Sequence, residues 1–126
     1  MHFSIHLSIV LIVAAVHSWA APVDFSRDIR PIFSEKCTLC HGPDDAKGGL
    51  RLTDLESAQV TLKSGKIAIV PGMANDSEII ARTYHTDPDT VMPPSGKAEP
   101  LTSGEKALLK QWINEGADWP RHWAYT

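Results

Sequence analysis

The chain has 126 residues, 43% of them apolar and 21% charged, with a formal net charge of −3. That length suits one small domain and is too short for two. An acidic balance without a basic stripe excludes the usual nucleic-acid footprint, and no internal repeat or low-complexity tract is present.

Residues 1–20 read as a secretory signal peptide and not as part of the fold. Ile5 to Val16 is almost wholly apolar, and Ser18-Trp19-Ala20 sets small residues at the minus-three and minus-one positions of a cleavage site after Ala20. The segment opens with His2 and His6 but no Lys or Arg, and it is nearly long enough to span a bilayer. A retained membrane anchor is therefore the rival reading, and membrane contact is expected only in that case. In either case the expected location is the periplasm or cell envelope. All 12 Lys and Arg and all 15 Asp and Glu lie beyond residue 20, so residues 21–126 keep the charge of −3.

The first element of the domain, Asp24 to Cys37, has apolar residues at Phe25, Ile29, Ile32 and Phe33, which is one face of a helix. Pro31 predicts either a kink there or a helix that properly begins there. This helix delivers the chain into Cys37-Thr38-Leu39-Cys40-His41, a C-x-x-C-H run that reads as a covalent attachment site for c-type haem. Two thiols three positions apart can add to the two vinyl groups of one porphyrin, and the adjoining histidine is directed at the iron from one side. Neutral imidazole is a good iron ligand. Both cysteines of the chain are in this run. In an exported protein a free C-x-x-C tends to oxidise to a disulfide, and two thioether bonds remove that option. A zinc site needs a second ligand pair, which is missing. A thioredoxin-like dithiol needs a βαβ context that the flanking sequence does not offer.

From Gly42 to Gly72 the sequence is loop-like. Lys47-Gly48-Gly49 marks a turn before Leu50-Arg51-Leu52, a brief helix is expected around Leu55 to Leu62, and Ile67-Ala68-Ile69-Val70 reads as a short strand ended by Pro71-Gly72. Asp76 or Ser77 is the expected N-cap of a helix running through Glu78, Ile79, Ile80 and Tyr84. Asp87-Pro88 ends it, and Val91-Met92-Pro93-Pro94 must be irregular before its second proline. The last helix carries a capping box, Thr102-Ser103-Gly104-Glu105, then an apolar face of Leu108, Leu109, Trp112 and Ile113, with Gly116 as C-cap. Three to four helices around a loop-rich middle make a mostly α domain, in which a bound macrocycle supplies core that so short a chain lacks.

The second axial position on the iron decides between uses. A Met/His pair makes an electron carrier, whereas an open face permits ligand binding or activation. Met92 is the preferred candidate, because the chain between it and His41 is long enough to wrap round a ring and Pro93-Pro94 stiffens the backbone beside it. Met73, His85 and His122 are the alternatives, and Met92 itself could be core packing, as most methionines are. Trp112, Trp119 and Trp123 are read as core aromatics without a redox role.

Taken together, the blocks Arg30-Pro31-Ile32, Cys37-Thr38-Leu39-Cys40-His41-Gly42, Lys47-Gly48-Gly49-Leu50-Arg51-Leu52, Ile69-Val70-Pro71-Gly72, Met92-Pro93-Pro94 and Trp112-Ile113 through Gly116-Ala117 to Trp119-Pro120 resemble the planctomycete-type cytochrome c domain, a relative of class I cytochrome c. The resemblance implies a class I-like fold wrapped round one haem, with first and last helices packed across each other. It also implies His41 and Met92 as axial ligands. In that family the domain usually opens a longer secreted protein, and a His-Trp-Ala-aromatic run leads onward. Here His122-Trp123-Ala124-Tyr125 is followed by Thr126, so residues 21–120 are expected to form the haem domain and 121–126 a tail like the start of a linker.

The expected function is that of an exported monohaem c-type cytochrome, not itself an enzyme. It would transfer single electrons, with Cys37 and Cys40 holding haem c and His41 and Met92 holding the iron. Redox proteins are the expected partners. Two other readings stand beside it. One is a five-coordinate haem enzyme of peroxidase type, or a gas sensor, for which Arg82 and His85 are the nearest thing to a distal pair. The other is a redox module serving a larger secreted enzyme, encoded nearby.

Overall fold

The structure, a computed structural model, describes residues 14–15 and 21–121. The expected signal peptide, apart from residues 14–15, lies outside the described residues, as do His122, Trp123 and the rest of the tail beyond Arg121. Among the described residues the secondary structure is helical, with α1 (Arg30–Lys36), α2 (Leu55–Ala58), α3 (Glu78–Thr83) and α4 (Ser103–Asn114). Strand-like pairing is limited to two isolated bridges, His41 with Ala46 and Thr61 with Ile67. No helix among the described residues is long and apolar enough to cross a membrane.

The chain enters α1 through a single wide π-helical turn, Phe25–Ile29. Asp24 caps it, its carboxylate accepting the Arg27 N–H at 2.8 Å. Pro31 lies in the first turn of α1, where its missing N–H leaves no helical bond unmade. Just before it, the Arg30 N–H reaches five residues back to the Phe25 carbonyl. The proline thus marks the start of the α-helix proper, and the wide turn is how the preceding residues join it.

This first helical stretch buries Phe25, Ile29, Ile32 and Phe33, the face predicted from their spacing. Opposite it stands α4, which buries Leu109, Trp112 and Ile113. Ring centroids of Phe25 and Trp119 lie 4.7 Å apart, nearly stacked, while Phe33 meets Trp112 edge-on at 6.0 Å. Such pairs add about 0.5–1.5 kcal/mol each beyond the burial of their area. The expected packing of first against last helix is therefore present, and it is aromatic.

Both ends of α4 are closed by local chemistry. At the start Thr102 Oγ1 accepts the Glu105 N–H at 3.1 Å, and the Glu105 carboxylate accepts the Thr102 N–H at 2.8 Å. At the end the Gly116 N–H bonds the Ile113 carbonyl and the Ala117 N–H bonds the Trp112 carbonyl, both at 3.0 Å. This is a Schellman closure. Gly116 is its positive-φ residue (φ 109°), Ala117 after it also lies in the left-handed region (φ 52°) with its methyl fully buried, and the Trp112 indole N–H donates to the Asp118 carbonyl at 2.9 Å.

The middle departs from expectation in two places. The helix expected over Leu55 to Leu62 is the single turn α2, capped by Asp54, because Thr61 folds back onto Ile67 and the Leu62 N–H bonds the Lys66 carbonyl at 2.8 Å. The expected strand Ile67–Val70 does not form. The Ile67 and Ala68 carbonyls accept instead the Glu78 and Ile79 N–H groups (3.0 and 3.1 Å), which are orphan donors at the start of α3. With those donors satisfied by backbone, Ser77 sits at the N-cap position without capping through its side chain. Its buried hydroxyl accepts the Val70 N–H at 2.9 Å and donates to the Met73 carbonyl at 3.0 Å.

Candidate functional site

The C-x-x-C-H run is a tight turn hung on the end of α1. The Cys37 and Thr38 N–H groups both bond the Phe33 carbonyl at 2.9 Å, and the Cys37 carbonyl accepts from Cys40 at 3.3 Å and from His41 at 3.0 Å. Gly42 completes it. A Cβ there would stand 2.2 Å from the Thr38 carbonyl oxygen, inside any real contact distance, so only glycine lets the chain leave the turn this way.

His41 is fixed by the Leu50-Arg51-Leu52 segment. Its carbonyl accepts the Leu52 N–H at 2.7 Å, and its ring Nδ1 lies 3.3 Å from the Leu50 carbonyl. A carbonyl only accepts, so the neutral ring carries its proton on Nδ1 and leaves Nε2 with a free lone pair, as metal-binding histidines do. Burial pushes the imidazole pKa below its ordinary value, against the smaller opposing pull of the Leu50 and Lys47 carbonyls, and so favours that neutral form. Burial likewise pushes the Cys37 thiol up to about 12. Cys37 and Cys40 are both unbridged and partly buried.

These residues line a cavity of about 300 Å³ that also reaches Met92, a volume at the lower end of small-molecule sites. Leu50, Leu52, Leu62, Ala68, Ile79 and Pro93 furnish apolar wall. The donor set fits a c-type haem: two free thiols, an imidazole with one nitrogen committed and one available, and a thioether contributed from far along the chain. Apolar walls of this kind would cover a macrocycle. The other sequence candidates are elsewhere. Met73 is 52% exposed and off the cavity. His85 is also exposed and off it, its Nδ1 accepting the Asp87 N–H at 3.1 Å. Trp112 and Trp119 belong to the aromatic core.

Two cations at the cavity carry structural duties that sequence reasoning missed. The Lys36 ammonium, with only 10% of its side chain exposed, pairs with Glu105 and donates to the Pro100 carbonyl at 3.1 Å, joining the end of α1 to the start of α4. The Arg82 guanidinium Nε donates to the Thr90 carbonyl at 2.6 Å. Their signal in the sequence is slight, a single cation next to a motif or inside a short helix.

Against family models, residues 37–96 match the planctomycete cytochrome C, a stretch that opens on Cys37 and takes in His41 and Met92. Residues 37–96, a little under half of the chain, are thus similar to the planctomycete cytochrome c family. At family level this implies covalent haem with iron and an electron-transfer role. Among curated proteins, the chain is 27% identical over 124 residues to hydrazine synthase subunit alpha of Kuenenia stuttgartiensis, an alignment covering 77% of this chain. The chain spans only 15% of that relative's length. No solved structure matches it.

Proposed function

We propose that this chain is an exported monohaem c-type cytochrome that transfers single electrons through a His/Met-ligated haem, with residues 21–120 as the haem domain, 1–20 as its export signal and 121–126 as a tail. The observation that carries the reading is the convergence of Cys37, Cys40, His41 and Met92 on one largely apolar cavity. Cys37 and Cys40 would hold the macrocycle by thioether bonds, His41 would give Nε2 to the iron, and Met92 would give its thioether. Bound haem iron supplies a one-electron ferrous–ferric couple. The surrounding residues restrict water and keep both ligand side chains in one arrangement, which limits the rearrangement that each electron transfer requires.

Support for Met92 over its rivals comes from exposure and place, since Met73 and His85 both lie outside the cavity. The same fact weakens the peroxidase reading: of the Arg82 and His85 pair, only Arg82 lines the cavity. A second reading, a redox module working with a larger enzyme, draws support from the similarity to a subunit of hydrazine synthase.

The test is to express the full chain with a haem-attachment system and record oxidised and reduced absorption spectra. Covalent haem with the methionine–iron charge-transfer band is expected in the oxidised form. Covalent haem without that band, and with rapid carbon monoxide binding to the reduced protein, would favour the five-coordinate alternative. Co-purification with a larger enzyme from the native source would favour the module.

A further inference from the structure

The segment that carries Met92 has no helix of its own. Between Tyr84 and Leu101 it makes local turns, in which the Asp87 carbonyl accepts from Thr90 and Val91 at 3.0 and 2.9 Å and the Asp87 carboxylate accepts the Asp89 N–H at 2.9 Å. Those bonds shape the tip of the loop but do not attach it to the body of the protein.

Attachment at Met92 comes from one residue of α3. The Arg82 carbonyl accepts the Met92 N–H at 2.9 Å, and the Arg82 Nε donates to the Thr90 carbonyl at 2.6 Å. The two bonds grip the chain on both sides of Val91. The first is main-chain and survives any substitution at this position. The second is side-chain and charge-assisted, a class roughly twice as strong as a neutral pair. Only 30% of the Arg82 side chain is exposed, and the Glu78 carboxylate one turn earlier lies 3.9 Å from its NH1. Arg82 also lines the cavity that Met92 lines.

We infer that Arg82 is a positioning residue for Met92: its guanidinium holds the loop so that the thioether stays at the cavity, and thereby sets how firmly Met92 binds the iron. This role rests on His41 and Met92 being the iron's two axial ligands. A thioether is a weak, uncharged ligand on a flexible side chain, so its hold on iron depends on how little the backbone beneath it moves. Loss of the Arg82 side-chain bond frees that backbone on one side and breaks none of the hydrogen bonds that hold His41, which run to Leu50, Leu52 and Cys37.

The test uses the full-length haem-loaded protein and follows two readouts in the ferric state, the methionine–iron charge-transfer band and the rate of cyanide binding, which requires Met92 to leave. Arg82→Leu is expected to weaken the band and speed cyanide binding by about tenfold or more, the factor set by losing a hydrogen bond to a charged group. Leu108→Ala, on α4, partly buried against the core and outside the cavity lining, is expected to lower overall stability and leave both readouts at wild-type values, which separates positioning from general loosening. If Arg82→Leu yields no haem-loaded protein, Arg82→Gln reads the same quantities. Wild-type band and cyanide rate in an Arg82 variant would overturn the inference alone. A wild-type protein lacking the band would remove the Met92 reading, and this inference with it.

Discussion

The two sides of the molecule are built on different principles. On one side the Phe25–Ile29 turn, α1 and α4 bury Phe25, Phe33, Trp112 and Trp119 against one another, and the helix ends close themselves through a capping box and a Schellman turn. On the other side the C-x-x-C-H turn, the stretches around Leu50 and Leu62, α3 and the Met92 loop surround a cavity, joined by backbone bonds between successive segments such as Leu52 to His41, Glu78 to Ile67 and Met92 to Arg82. The aromatic side supplies its own filling. The cavity side contributes Leu50, Leu52, Ala68 and Ile79 to the core and to the cavity wall alike, and under the proposed function a haem would complete its packing. A domain this small cannot build a second core, so a prosthetic group is the economical way to complete it.

The largest test of that contrast is to prevent attachment. The double variant Cys37→Ala with Cys40→Ala is expected to lose amide-exchange protection in the segment from Leu50 to Met92 while retaining most of it in α4 around Trp112. Uniform loss over both regions would break the comparison. The next largest effect is Trp112→Ala in the haem-loaded protein, expected to cost about 3–5 kcal/mol in denaturant unfolding, as truncation of a buried aromatic does. A cost under about 1 kcal/mol would show that the aromatic side is not the stabilising half. Gly42→Ala comes third. Its Cβ meets the Thr38 carbonyl oxygen at 2.2 Å, and overpacking of this kind costs about 1–3 kcal/mol. It should lower the yield of attached haem more than it lowers the helix content seen by circular dichroism.

The smallest effect concerns the seam between the two sides. Partial burial works against the Glu105 charge, but the hydrogen bonds from Lys36 and from the Thr102 N–H outweigh it and hold the carboxyl below its ordinary value of 4.5. A carboxylate whose folded pKa is depressed contributes stability that is present above its unfolded pKa and lost as pH falls through the folded one. Glu105→Gln should therefore lower stability near neutral pH by about 1 kcal/mol, and the difference from wild type should shrink as pH falls below 4.5. A difference constant from pH 7 to pH 3 would contradict that origin.

The two sides also differed in how legibly the sequence announced them. The fold of the aromatic side could be read because its signals are local: Phe25, Ile29, Ile32 and Phe33 repeat at helical spacing, and Thr102 with Glu105 spells out its own cap. The C-x-x-C-H turn was legible for the same reason. Ile67-Ala68-Ile69-Val70 misled because β-branched residues suggest a strand, whereas what decides is where the carbonyls go. Here two of them cap α3, a partnership between segments that no local pattern encodes. Ser77 does take the expected N-cap position, but its hydroxyl is engaged by Val70 and Met73 because those backbone partners already serve the helix start. That Met92, Met73 and His85 sort into one residue at the cavity and two outside it depends on how the loops cross, which spacing does not specify.

The central claim is that His41 and Met92 jointly hold one iron, and a redox titration of wild type beside Met92→Ala tests it most directly. Thioether ligation favours the ferrous state, so the variant should titrate at a clearly lower potential, lose the methionine–iron charge-transfer band and bind cyanide readily. A variant with the wild-type potential and spectrum would show that Met92 is only part of the cavity wall.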